Sequence, residues 1–179
     1  GTVVFSGTGA LTPTVLNLSG GNLQGTMPVT VSGPMLWTAG VLGSAIVVAN
    51  GGLTMAGVGK ALNCVLVNNG AATWTNGQLA FNSGTFSNSA AAVLDVLADG
   101  SVFAFNTGTS LVANAGTFRK TGGSGTASMS TAFTNSGTVQ VNTGTVSFGP
   151  YTQTGGQTVM NGGNFSFSQT AQLGGGLLS

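Results

Sequence analysis

The chain is 179 residues long and 41% hydrophobic, yet only 3% of it is charged, and its formal net charge is +1 with no histidine. Disorder needs low hydrophobicity with high charge and is excluded. Three basic residues cannot form the patch that nucleic-acid affinity requires. Acid–base catalysis is poorly supplied by Asp95, Asp99 and a single cysteine.

Glycine, threonine, serine and asparagine together make half the chain. Helix formers are scarce, and Val, Thr and Phe recur between glycines, so the propensities predict an all-β protein. Residues 1–45 open in mid-pattern at "GTVVFSG" and continue through the less regular "GNLQGTMPVTVSGPMLWTAG". This opening predicts an excised segment of a longer exported chain, with the targeting signal upstream. Residues 35–59 are uncharged and long enough to span a bilayer as a helix. Gly51 and Gly52 interrupt them, however, and Ile46, Val47 and Val48 favour a strand, so no membrane span is expected.

From Asn50 onward an Asn-x-Gly signal recurs, at Asn68, Asn114 and Asn135, with Asn88 as a variant and Gln153 and Gln172 in the same role. The spacings run from 18 to 26 residues, a period that marks a solenoid. Between these signals lie strands such as "AVLDV", "SVFAF" and "SLVAN", then "TVQV", "TVSF" and "YTQ". Three short strands per repeat predict a triangular coil. A four-residue strand cannot stand alone, but stacked coils about 4.8 Å apart give every backbone group a partner above and below. The expected fold is therefore a single-stranded parallel β-helix (β-solenoid) of about nine coils and on the order of 40 Å, one unit over 1–179 with regular coils over 46–179. Glycine and asparagine are expected at the corners, where positive φ costs least.

Alternation assigns the faces. Ala127 and Met129, Val146 and Phe148, and Phe165 and Phe167 point inward. Thr126 and Ser128, Thr145 and Ser147, and Asn164 and Ser166 point outward as a candidate binding face. Leu66, Phe86, Val112, Phe133 and Tyr151 each stand two residues before a corner amide, so those amides also turn inward. Asn68, Asn88, Asn114, Asn135, Gln153 and Gln172 are thus expected to form a structural amide ladder along the axis. Cys64, in "ALNCVLV", reads as a buried apolar residue. Asp95 and the pair Arg119–Lys120 fall on corresponding strands, which predicts a cross-coil ion pair.

The order "GTFRKTGG", "TAFTNSGTVQVNTGTVSF", "YTQTGGQTVMNGGNFSF" and "QLGGGLL" resembles the β-strand repeats of large secreted bacterial surface proteins, akin to autotransporter passengers and filamentous adhesins. The resemblance is clear over the last 70 residues or so and looser before them. It implies an exported, extended scaffold at the cell surface or outside the cell, with no catalytic motif to carry over. Its expected partners are neighbouring coils of the same polypeptide or identical copies stacked end to end, with no catalytic, cofactor or metal site. The glycine runs lack the Gly-Lys-Ser/Thr of a phosphate loop, and two aspartates are too few for calcium. The alternative is a flat-face module that binds ice or glycans. Gln78, Ser101 and Asn164 break the threonine column that an ice-binding face would need.

Overall fold

The computed structural model describes residues 1–179, apart from the side chains of Ser101, Phe105 and Asn106. It contains no helix, and its strands pair in parallel throughout. The chain winds as a β-solenoid of about nine turns with three strands to a turn. The first face runs through Leu53–Met55, Ala71–Trp74, Val93–Val96, Thr117–Lys120, Thr138–Val141 and Gln157–Met160. The second runs through Lys60–Leu62, Leu79–Asn82, Gly100–Thr107, Thr126–Met129, Thr145–Phe148 and Asn164–Phe167. The third, an eight-stranded sheet, runs from Val29–Val31 to Ala171–Leu173.

The early coils differ at the corner between the first and second faces. Leu16–Gly25 and Met35–Gly43 are continuous strands that pass from the first face to the second without a turn, bending at Gly20–Gly21 and at Gly40. That joins the two faces into one sixteen-stranded sheet. The apolar run 35–59 is accordingly divided among Met35–Gly43, Ile46–Ala49 and Leu53–Met55. No helix among the described residues is long and apolar enough to cross a membrane.

Strand alternation fills the interior. On the third face Leu66, Phe86, Val112, Phe133 and Tyr151 are buried and stack in register from coil to coil. They meet the second-face row of Leu79, Phe103, Met129 and Phe148, and Phe133 and Phe148 come to a 4.9 Å ring separation in edge-to-face geometry. Each such pair contributes about 1 kcal/mol beyond its area. Cys64 is buried beside this core.

The glycines do two different jobs. At the corner between first and second faces they supply positive φ, as at Gly77 (73°) and Gly123 (70°). At the corner between third and first faces Gly116 and Gly137 do not have positive φ. They are needed there because the coils touch, and a Cβ on Gly137 would stand 2.2 Å from the Gly116 carbonyl oxygen. The asparagines beside them also have ordinary φ, since among the described residues Ser83 is the one non-glycine with positive φ. The sequence expectation of left-handed asparagine corners is corrected by that close approach.

Candidate functional site

Chemistry-bearing side chains gather at two corners. At the third-to-first corner Asn68, Asn88, Asn114 and Asn135 are buried and stacked in register. Asn68 Nδ2 donates to Asn88 Oδ1 at 2.9 Å, Asn88 Nδ2 to Asn114 Oδ1 at 2.8 Å, and Asn114 Nδ2 to Asn135 Oδ1 at 2.8 Å. Each amide also ties the bend on its own coil and the first-face strand of the next. Asn114 Nδ2, for instance, reaches the carbonyls of Gly116 at 3.2 Å and Thr138 at 3.1 Å.

Beyond Asn135 the pattern changes. Gln153 lies in the same row, but its Oε1 accepts from the Tyr151 hydroxyl at 3.1 Å and the Thr158 hydroxyl at 2.7 Å. Its Nε2 donates to the carbonyls of Gly175 and Leu177. Gln172 is not in the row. Tyr151 pairs with Ala171 and Gln153 with Leu173, which leaves Gln172 over Thr152 on the outside, exposed. The physical reason is strand parity: turning Gln172 inward would turn Ala171, which packs on the core, outward. Asn50 is likewise outside, because Ala49 stacks beneath Asn68. Asn50 instead accepts from Asn69 Nδ2 at 2.9 Å, and Ser89 donates to Asn69 Oδ1 at 2.6 Å, which forms a short exposed ladder beside the buried one.

The five charged side chains of the whole chain all lie at the first-to-second corner or on the first face beside it. Asp95 and Arg119 are in register on the outside of the first face, with Arg119 Nη2 2.8 Å from Asp95 and Nε at 3.0 Å. Lys120, one residue on, points into the coil and is buried. Its Nζ meets Asp99 Oδ1 at 2.7 Å and the Gly122 carbonyl at 2.5 Å. Asp99 Oδ2 accepts from the Gly125 N–H at 2.8 Å, and the lysine and this amide together hold its carboxyl below the usual range. Lys60 is also buried at this corner, its ammonium donating to the carbonyls of Ala56 at 2.8 Å and Gly57 at 2.5 Å. Burial pushes its pKa down to about 8.

The outward candidates align as well. Thr126, Thr145 and Asn164 stack in one row and Ser128, Ser147 and Ser166 in the next. Toward the N terminus the rows lose their register at a bulge between Ser101 and Phe103, and the side chain of Ser101 lies outside those described. Ala80 and Ala61, in register with one another, take the second face onward. Among the described residues no three His, Cys, Asp or Glu side chains come together to hold a metal ion. Burial pushes the Cys64 thiol up to about 12 and keeps it protonated.

These features define a β-solenoid repeat protein, held together by stacked coils. No family model matches the chain, and no curated protein or solved structure matches it either.

Proposed function

We propose that the chain is a structural and adhesive scaffold segment of an exported surface or extracellular protein, acting through rigidity and repetition and not as an enzyme. The observation that carries this reading is the buried amide row from Asn68 to Asn135. Its polar capacity is spent on joining coils and closing bends, which suits a stiff rod. The likeness of about the last 70 residues to autotransporter-passenger and filamentous-adhesin repeats supports it, as does a surface whose hydroxyls and amides are indifferent to ionic strength.

In this reading the terminal coils are covered by further coils of the same polypeptide or by a second copy. Leu173, Leu177 and Leu178 are exposed at one end, and an apolar hollow of about 340 Å³ beside Phe5, Leu11 and Leu16 opens at the other. Strand edges left open in this way recruit further strands. The test is electron microscopy with light scattering over a concentration series. Straight rods that lengthen with concentration are expected. Compact particles of fixed size, together with ice shaping in a thermal-hysteresis assay, would replace the scaffold with the flat-face alternative built on Thr126, Ser128, Thr145, Ser147, Asn164 and Ser166.

A further inference from the structure

The first-to-second corner holds a cleft of about 280 Å³ lined by Trp74, Gly77, Gln78, Asp99 and Gly100. Three observations meet there. First, the indole N–H of Trp74 is buried and has no hydrogen-bond partner. A donor left unsatisfied in this way costs roughly 1–3 kcal/mol, which a bound acceptor would recover. Trp37 occupies the same inward row two coils away, through Met55. Its Nε1 donates at 3.3 Å to the carbonyl of Gly40, three residues on. At Trp74 the strand ends and a turn follows, so the residue three on, Gly77, does not take up the N–H, and both Trp74 and Gly77 line the cleft.

Second, Asp99 presents a carboxylate whose side chain is 38% exposed. Lys120 and the Gly125 amide take one site on each oxygen, and a carboxylate has about four. Two acceptor positions remain, on a group whose charge Lys120 already balances. Third, the cleft lies where the coil is least regular. The amide spacing across it is the longest, 26 residues from Asn88 to Asn114, and Gly100–Thr107 carries a bulge. Bulges cluster at binding sites. Gly100 leaves the mouth open, because a Cβ there would meet nothing within 4 Å.

We propose that this corner cleft binds a neutral, polyhydroxylated ligand the size of a single sugar ring, one hydroxyl accepting from Trp74 Nε1–H and another donating to the free positions of Asp99. A hydroxyl both donates and accepts, as the two protein groups demand. The neutral class follows from the balanced Asp99–Lys120 pair, and the Lys60 ammonium behind Gly77 is buried and held by the carbonyls of Ala56 and Gly57. The volume of about 280 Å³ lies just below the usual range of ligand pockets, about 300 to 1,000 Å³, and fits one ring and not a chain. This site is separate from the outward rows, and the proposal does not depend on the scaffold reading: a rod can lack the sugar site, and a compact particle can have it.

The experiment is an NMR titration of the ¹⁵N-labelled chain with D-glucose, D-galactose, D-mannose and N-acetyl-D-glucosamine, reading the two indole N–H signals. Trp74→Phe, which removes one of them, assigns the pair. At least one sugar is expected to shift the Trp74 signal saturably while Trp37, bonded to Gly40, stays still. Asp99→Asn should weaken that sugar by about tenfold or more, the loss expected for a charged hydrogen-bond acceptor. Saturation-transfer signals from the same sugar should fall in Trp74→Phe, a variant whose retained fold is checked by its circular dichroism. If no sugar moves the Trp74 signal, if both indoles move together, or if folded Asp99→Asn binds as tightly as the parent, the proposal is overturned.

Discussion

Buried ionisable residues set how this fold answers to pH. Lys60 has a native pKa of about 8 against 10.5 when free, so between those values the unfolded chain holds a proton that the native chain has released. Stability therefore rises with pH across that window, and below it the charged, buried ammonium carries a constant penalty of about 1–3 kcal/mol. Cys64 works in the opposite sense. Its thiol is pushed up from 9.0 to about 12, so above pH 9 the unfolded chain loses a proton that the native chain keeps, and stability falls. Tyr151, also raised by burial, adds to the fall above pH 10. The melting temperature should climb from about pH 8 to about pH 9, hold level while the two groups offset one another, and decline above about pH 10. In Lys60→Met the climb should vanish, whereas in Cys64→Ala it should extend toward pH 10. Thermal melts at intervals across this range check all three curves, and a flat parent profile would mean that neither group is perturbed.

At the scale of the strand, alternation and register decide what each motif becomes. The inward and outward assignments of Thr126–Met129, Thr145–Phe148 and Asn164–Phe167 follow from a period of two, and the parallel ladder places them as that period requires. The same rule would have found Lys120. In "TFRK" it shares parity with Phe118, and the strand buries both. A lysine ordinarily faces outward, and only the corner carbonyls and Asp99, gathered from neighbouring turns, make the inside tolerable. Gln172 is the opposite case: its corner motif favours the inside, but the parity of Ala171, which packs on the core, turns it out. The unpaired Trp74 N–H had no sequence signal at all, since a buried tryptophan is ordinarily satisfied. Register gives a paired test of the ladder. Asn114→Leu strips an acceptor from Asn88 and a donor from Asn135, both buried, and should cost about 2 kcal/mol or more. For a chain of this size that lowers the melt by about 5 °C. Gln172→Leu, on the exposed outside, should leave it within about 1 °C, the expectation for a surface change. Equal effects of the two would remove the distinction between row and corner.

The whole molecule is a one-dimensional stack in which each coil is supported only by its neighbours. Central coils gain from both sides. Leu111–Asn114 is paired with Thr85–Asn88 and Ala132–Asn135 and joined to both through the amide row. Thr2–Phe5 has a single neighbour and is largely exposed, and so is Leu177–Leu178. Local opening should therefore spread inward from the ends, because each coil removed uncovers the next one's apolar row. Amide hydrogen exchange should be slowest in Thr85–Asn88, Leu111–Asn114 and Ala132–Asn135 and fastest in the outermost strands, with a graded decline between. Concentration then separates two causes of end protection. If copies stack end to end, as the scaffold reading holds, exchange in Leu173, Leu177 and Thr2–Phe5 should slow as protein concentration rises, while the central strands stay constant. If exchange is uniform along the chain at every concentration, the stack unfolds as one unit and the terminal coils need no cover.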